Sequence, residues 1–299
     1  MLGGSYPLTE VGLHSFDPLT LVWFRLLIGS VFLAGWLVAH RQPLPRGRRV
    51  RLLLVGIGLV NSLGSFFLVT WGQKYVSSAY TSILAGSQPI FVALGATFLL
   101  PAERLTLRRA VAIGVGFGGV VCLFANELGW GGSAGSKHAV VGALAILAGA
   151  AALAVVALTV RVALPDYAPA QIALPMLVTG LIVIGPVLGV LAASGSRILK
   201  FEPEHLGPLA AMFTLGILNA GIGNVIWYTL LRHWGATRTA LVLYLVPLVG
   251  VGLGVLLLHN RLGLNMLLGL ALITGSLLAV NPPVRRRLAA PDAAPSTEG

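Results

Sequence analysis

Side chains able to do chemistry are sparse in this chain, and the ones inside long apolar runs stand out: Glu10, Arg25, Asn61, Tyr80, Ser82, Gln88, Asn219, Trp227 and Tyr244. An isolated charge in apolar surroundings is costly, so it must be neutralised, paired or turned toward water. Glu10 therefore reads in two ways. It is a substrate contact or proton-coupling group, or it sits near the surface because the first apolar segment is short. Arg25 is a partner for Glu10, a group facing a polar pathway, or a side chain snorkelling to an interface. Asn61 and Asn219 line a cavity or hydrogen-bond helix to helix. Tyr80, Ser82, Gln88 and Tyr244 flank Pro89 and Pro247. Each proline removes a backbone donor and frees a carbonyl, which gives a hinge, an exposed-carbonyl site or a fixed kink. Trp227, near a segment end, is a belt residue or a gate.

Bond-making chemistry has little to work with. The six histidines fall at segment ends or in loops, without metal-ligand spacing. Cys122 is the single cysteine and lies in an apolar run, so neither a disulfide framework nor a metal site is expected. No nucleophile–base arrangement and no Gly-x-x-x-x-Gly-Lys loop is present. An enzyme is not expected, and neither is a cofactor. Glu103 with Arg104 reads as a structural ion-pair cluster at a helix end.

The elements that position these residues follow from composition. The chain has 299 residues, 57% hydrophobic and 10% charged, with mean hydropathy +0.90. A soluble domain cannot hide that much apolar surface, so lipid must be its solvent. The pattern predicts helical spans at about 18–38, 51–73, 77–100, 108–126, 138–160, 169–193, 207–231, 237–258 and 263–281, each near the length needed to cross a ~30 Å core. Residues 1–13 are too short to span and read as the second half of a helix: either translation starts upstream, or the chain keeps a stub.

The formal charge of +11 sits in short loops between apolar runs, which points to membrane orientation and not to nucleic acid. One set of loops, with the tail, holds fourteen basic residues, among them Arg46, Arg104, Arg161, Arg232 and Arg286; the opposite set holds five: Lys74, Lys137, Arg197, Lys200 and Arg261. That bias predicts a multi-pass protein of the cell membrane with a cytoplasmic C-terminus.

The same punctuation occurs twice, 158 residues apart. Gly58, Asn61, Lys74, Ser77, Thr81 and Pro89 correspond to Gly216, Asn219, Arg232, Gly235, Thr239 and Pro247. The expected organisation is a first repeat at 1–126, an external Gly-rich linker at 127–137, a second repeat at 138–281 and a disordered cytoplasmic tail at 282–299. An odd number of spans per repeat inverts the second copy, as in many secondary transporters. The fold class expected is all-α, a ten-helix inverted-repeat membrane protein with the first helix truncated, giving nine full spans plus a stub.

The run from Lys74-Tyr75-Val76-Ser77-Ser78-Ala79 through Gln88-Pro89-Ile90-Phe91 to Ala102-Glu103-Arg104-Leu105-Thr106 resembles the EamA-type branch of the drug/metabolite transporter superfamily. The second copy reads Gly235-Ala236-Thr237-Arg238-Thr239-Ala240, then Val246-Pro247-Leu248, then Asn260-Arg261-Leu262. Leu2-Gly3-Gly4-Ser5-Tyr6 looks like the family's Trp-Gly-Ser signature, and Pro18 through Arg25 like its second helix. Three departures stand out: Leu2 replaces the Trp, Asn260 stands where the second repeat usually has Glu, and Glu10 stands where many relatives carry Lys. The resemblance implies ten helices, two EamA repeats and secondary transport, most commonly export of a small metabolite or drug-like compound. The expected partners are a small-molecule substrate and the bilayer, with a homodimer left open. The reading weighed against it is a non-transporting structural or sensory membrane protein descended from a transporter.

Overall fold

The computed structural model describes residues 3–99, 106–127, 137–194, 206–260 and 263–280. Every regular element among them is helical. Helix α1 (Ser5–Leu13) is followed by α2 (Pro18–Ala39), α3 (Arg48–Leu59), a π-helical segment (Val60–Phe67) and α4 (Leu68–Gly72). Next come α5 (Ser78–Ala85), α6 (Gln88–Leu99), α7 (Leu107–Glu127), α8 (Lys137–Ala163) and α9 (Pro169–Ala193). The chain closes with α10 (Leu206–Thr214), a second π-helical segment (Leu215–Gly223), α11 (Asn224–Leu258) and α12 (Leu264–Val280).

Among the described residues, six stretches are long and apolar enough to cross a bilayer: Pro18–Ala39, Arg48–Gly72, Ser78–Leu99, Lys137–Ala163, Pro169–Ala193 and Leu206–Leu230. Ala110–Leu123, Leu245–Leu258 and Leu264–Ser276 are shorter apolar helices. Phe98, Val190 and Leu256 are among many large apolar side chains left on the outside. Only hydrocarbon covers such a surface without penalty, so the chain is a polytopic membrane protein.

The sequence predicts a turn near Gly235 between two spans. The helix assigned as Asn224–Leu258 runs through that position. A lone glycine costs a helix only ~1 kcal/mol. No proline falls between Asn224 and Val246, so nothing in that run forces the helix to stop. Trp227 and Val246 nevertheless line one cavity. A straight helix would hold them ~28 Å apart at 1.5 Å per residue, so the axis of α11 turns back between them.

Counterpart helices of the two halves pack on each other. Helix α2 lies along α9, and α7 along α12. Helix α8 packs on the first π-helical segment and α4, as α1 packs on α10 and the second segment. Helices α4 and α8 approach closely at Gly72 and Gly142. A Cβ on Gly72 would lie 2.5 Å from the Gly142 carbonyl oxygen, and one on Gly142 would lie 2.8 Å from that of Gly72. Of the other glycines, Gly116 and Gly119 face α12, Gly250 faces Ser82, and Gly254 meets Ser78 and Asn260. Gly114 and Gly118 face open space.

The loops sort onto two faces. On one, Lys74 Nζ lies 3.6 Å from Asp17 Oδ1, an exposed pair worth little in stability. On the other, Gln171 Nε2 donates to the Pro43 carbonyl at 2.6 Å, joining the loop after α2 to the start of α9. Residues 128–136 of the expected linker, Glu103 with Arg104, and the tail from 281 lie outside the described residues.

Candidate functional site

Between the halves lies a central cavity with two lobes. One lobe, about 620 Å³ with its open mouth, is lined by Arg25, Ser65, Thr70 and Gln73 among others. The other, about 680 Å³, is lined by Asn61, Asn224, Trp227 and Tyr228 among others. Tyr6, Phe66, Ala85, Gln88, Leu153 and Asn219 line both.

The two π-helical segments explain how the amides reach this space. Asn61 and Phe66 are five residues apart, as are Asn219 and Asn224, and all four line the Trp227 lobe. At the α-helical step of about 100° per residue, positions five apart point well away from each other. The wider π turn bonds i to i+5 and brings them onto one face. Shifted by the 158-residue repeat, the first segment would cover 218–225 and so overlaps the second, and each segment contains its half's asparagine.

Arg25, on α2, is buried, with 7% of its surface exposed. Its Nη2 donates to Asn219 Oδ1 of the other half. Its guanidinium carbon stands 4.3 Å from the Phe66 ring centroid, a cation–π distance. Its Nε has no hydrogen-bond partner among the described residues. Arg25 therefore faces the cavity and does not pair with Glu10.

Gln88 begins α6 just after the helix break at Gly86 and Ser87. The break follows from Pro89, which cannot donate to the Ala85 carbonyl four residues earlier. That leaves the Ala85 carbonyl without its helical donor in a residue that lines both lobes. Pro89 thus sits in the first turn of a new helix and not in the middle of one. Pro247 remains inside α11, and its ring packs against Gly86, where a Cβ would lie 3.3 Å from Pro247 Cγ. The two proline regions meet.

The remaining expected residues are placed elsewhere. Glu10 Oε2 accepts from the Ser78 backbone at 2.6 Å and from Asn260 Nδ2 at 3.3 Å. Asn260 Nδ2 also lies 2.9 Å from Ser78 Oγ. Glu10 thereby ties α1 to the N-terminus of α5, where a negative charge suits the helix dipole. It is not among the residues lining either lobe. Tyr80 donates to the Leu123 carbonyl at 3.1 Å, on the side of α7. Ser82 donates to the Ala79 carbonyl at 2.8 Å and packs on Gly250. Tyr244 lies on α11, and its side chain is outside the described residues.

Sequence reasoning does not single out Ser65, Phe66 or Asn224 for the cavity. The i to i+5 spacing from the two asparagines is the signal that finds Phe66 and Asn224. A third pocket, about 550 Å³, is lined by Arg161, Tyr167, Tyr228 and Arg232 among others. It meets the central cavity at Tyr228, whose hydroxyl lies 3.8 Å from Met176 Sδ. Among the described residues no cluster of His, Cys, Asp or Glu could hold a metal ion.

Comparison with known proteins agrees with this architecture. The chain is 25% identical to the uncharacterized transporter YoaV of Bacillus subtilis over 91% of this chain and 89% of the relative. It is 27% identical to a protein of Escherichia coli named a probable amino-acid metabolite efflux pump, again over 91% and 89%. A solved crystal structure superposes with a TM-score of 0.64 at 22% identity, covering 93% of this chain and 96% of the other, which shows likeness of fold. Residues 1–125 and 140–281 match the EamA-like transporter family, and the chain belongs to that family.

Proposed function

We propose that this protein exports a small metabolite or drug-like compound across the cell membrane by alternating access, with the central cavity as the carrier site. The observation that carries the reading is the cavity itself: equivalent π-helical segments of the two halves present Asn61 and Asn219 to one space lined by both. Inverted repeats that rock about a shared midplane site are the general design of such carriers. The helix break at Gly86–Ser87, packed on Pro247, supplies the flexible joint. Tyr228, between the cavity and the Arg161–Arg232 pocket, closes one side, and the excess of basic loops supports a cytoplasmic position for that side. The amino-acid metabolites named for the Escherichia coli relative are one substrate group to try.

The test is counterflow in proteoliposomes with pooled labelled amino acids, nucleobases and lipophilic cations. Accumulation that depends on internal unlabelled substrate is expected for at least one pool. A folded protein that accumulates none of them contradicts the reading.

A further inference from the structure

The Arg25 lobe is rich in donors. Arg25 Nε, Gln88 Nε2 and Ser65 Oγ are all buried, belong to residues lining this lobe and have no hydrogen-bond partner among the described residues. Arg25 is 7% exposed, Ser65 6% and Gln88 5%. None of the described residues lining either lobe is acidic. The guanidinium touches a neutral amide and an aromatic face. A buried cation without a counter-ion among the described residues, in the same lobe as two residues with unused neutral donors, makes a site suited to an anion. One unpartnered acceptor, Gln73 Oε1, belongs to the same lobe and suits an ammonium group where the ligand carries one.

The charge count narrows the anion. One guanidinium matches one negative charge; a phosphate dianion would need a second cation. The rest of the wall includes Phe66, Leu153, Trp227 and Tyr6, which suits an apolar body. The Arg161–Arg232 pocket, which meets the cavity at Tyr228, adds positive potential on the approach.

We propose that the central cavity selects small monocarboxylates with an apolar body, whose carboxylate is held by Arg25, Gln88 and Ser65. This rests on the transporter reading above and names its substrate class. Amino acids and simple carboxylic acids share this chemistry.

The experiment compares matched pairs on the purified full chain by thermal stabilisation and by counterflow: L-phenylalanine with its amide, phenylacetate with phenylacetamide, and isovalerate with isovaleramide. At least one carboxylate is expected to bind ten-fold or more tighter than its amide, with the pair that responds separating amino acids from simple acids. Arg25→Gln should reduce that preference to within two-fold. Gln88→Glu places a carboxylate in the same lobe as Arg25 and should abolish the preference while keeping the fold, which covers the case of an unstable Arg25→Gln. Equal binding of amides, a preference that survives both substitutions, or binding by no carboxylate overturns the proposal. Counterflow of nucleobases or lipophilic cations alone would overturn it and leave the transporter reading standing; absence of all counterflow would remove both.

Discussion

The bond from Arg25 to Asn219 crosses between the halves, and its removal has a size that can be worked out. Asn219→Leu takes away the hydrogen-bond acceptor that the guanidinium uses. A hydrogen bond to a charged group contributes ~1.5–3 kcal/mol in soluble proteins. Interhelical bonds measured in membranes average ~0.6 and reach ~1.7 kcal/mol. Arg25 is buried, which favours the upper figures, but it borders an open-mouthed cavity, where solvation of the guanidinium would recover part of the loss. The expected cost is therefore about 1–2 kcal/mol. Arg25→Met should cost less than the orphaned charge does, since the Phe66 ring it leaves is apolar. The assay is a double-mutant cycle read by reversible unfolding in mixed micelles. Leucine at 219 should be better tolerated once Arg25 is replaced by methionine, with a coupling energy of about 1 kcal/mol or more. Additivity within ~0.3 kcal/mol would refute the reasoning.

Other outcomes follow from the same geometry. Gly142→Ala should destabilise by ~1–3 kcal/mol, because its Cβ meets the Gly72 carbonyl, whereas Gly118→Ala, in open space, should be near neutral; the same unfolding assay compares them. Glu10→Gln should leave the pH profile of counterflow unchanged, while Glu10→Ala should lower stability by ~0.5–2 kcal/mol through loss of the contact at the start of α5. Deleting Val60, which keeps Asn61 and Phe66 five residues apart, should return the segment to α-helical winding, turn Phe66 away from Asn61 and abolish ligand-dependent stabilisation, with circular dichroism confirming retained helix.

The apolar spans are legible in the sequence because lipid imposes a simple length and composition rule. The span at Pro169–Ala193 falls where hydropathy puts it. The helix break before Pro89 is half legible: the proline announces a disturbance, and its position at the start of α6 requires the structure. The turning back of α11 is not announced by a proline; Gly235 is its mark in the sequence, and the helix assigned through it is what the sequence does not announce. The lining of the cavity is legible at Asn61, Asn219, Arg25, Gln88 and Trp227 because polar or amphipathic groups in apolar runs are few. Tyr80 and Ser82 look equivalent to them, yet α5 turns these two toward α7 and Gly250, and hydropathy does not fix which way a buried helix face points. Phe66 and Asn224 are hidden by the assumption of α-helical periodicity. Glu10 is ambiguous because its partners, Ser78 and Asn260, are 68 and 250 residues away.

If one cavity opens to both sides of the membrane in turn, a single thiol in its wall will report both openings. Cys122 is the single cysteine and lies outside both lobes, so Cys122→Ser followed by Leu153→Cys puts that thiol in the wall. A membrane-impermeant maleimide is then applied to right-side-out and to inside-out vesicles. Alternating access predicts labelling in both preparations, slowed in each by the substrate that counterflow identifies. Labelling from one side only, unchanged by that substrate, would contradict the account.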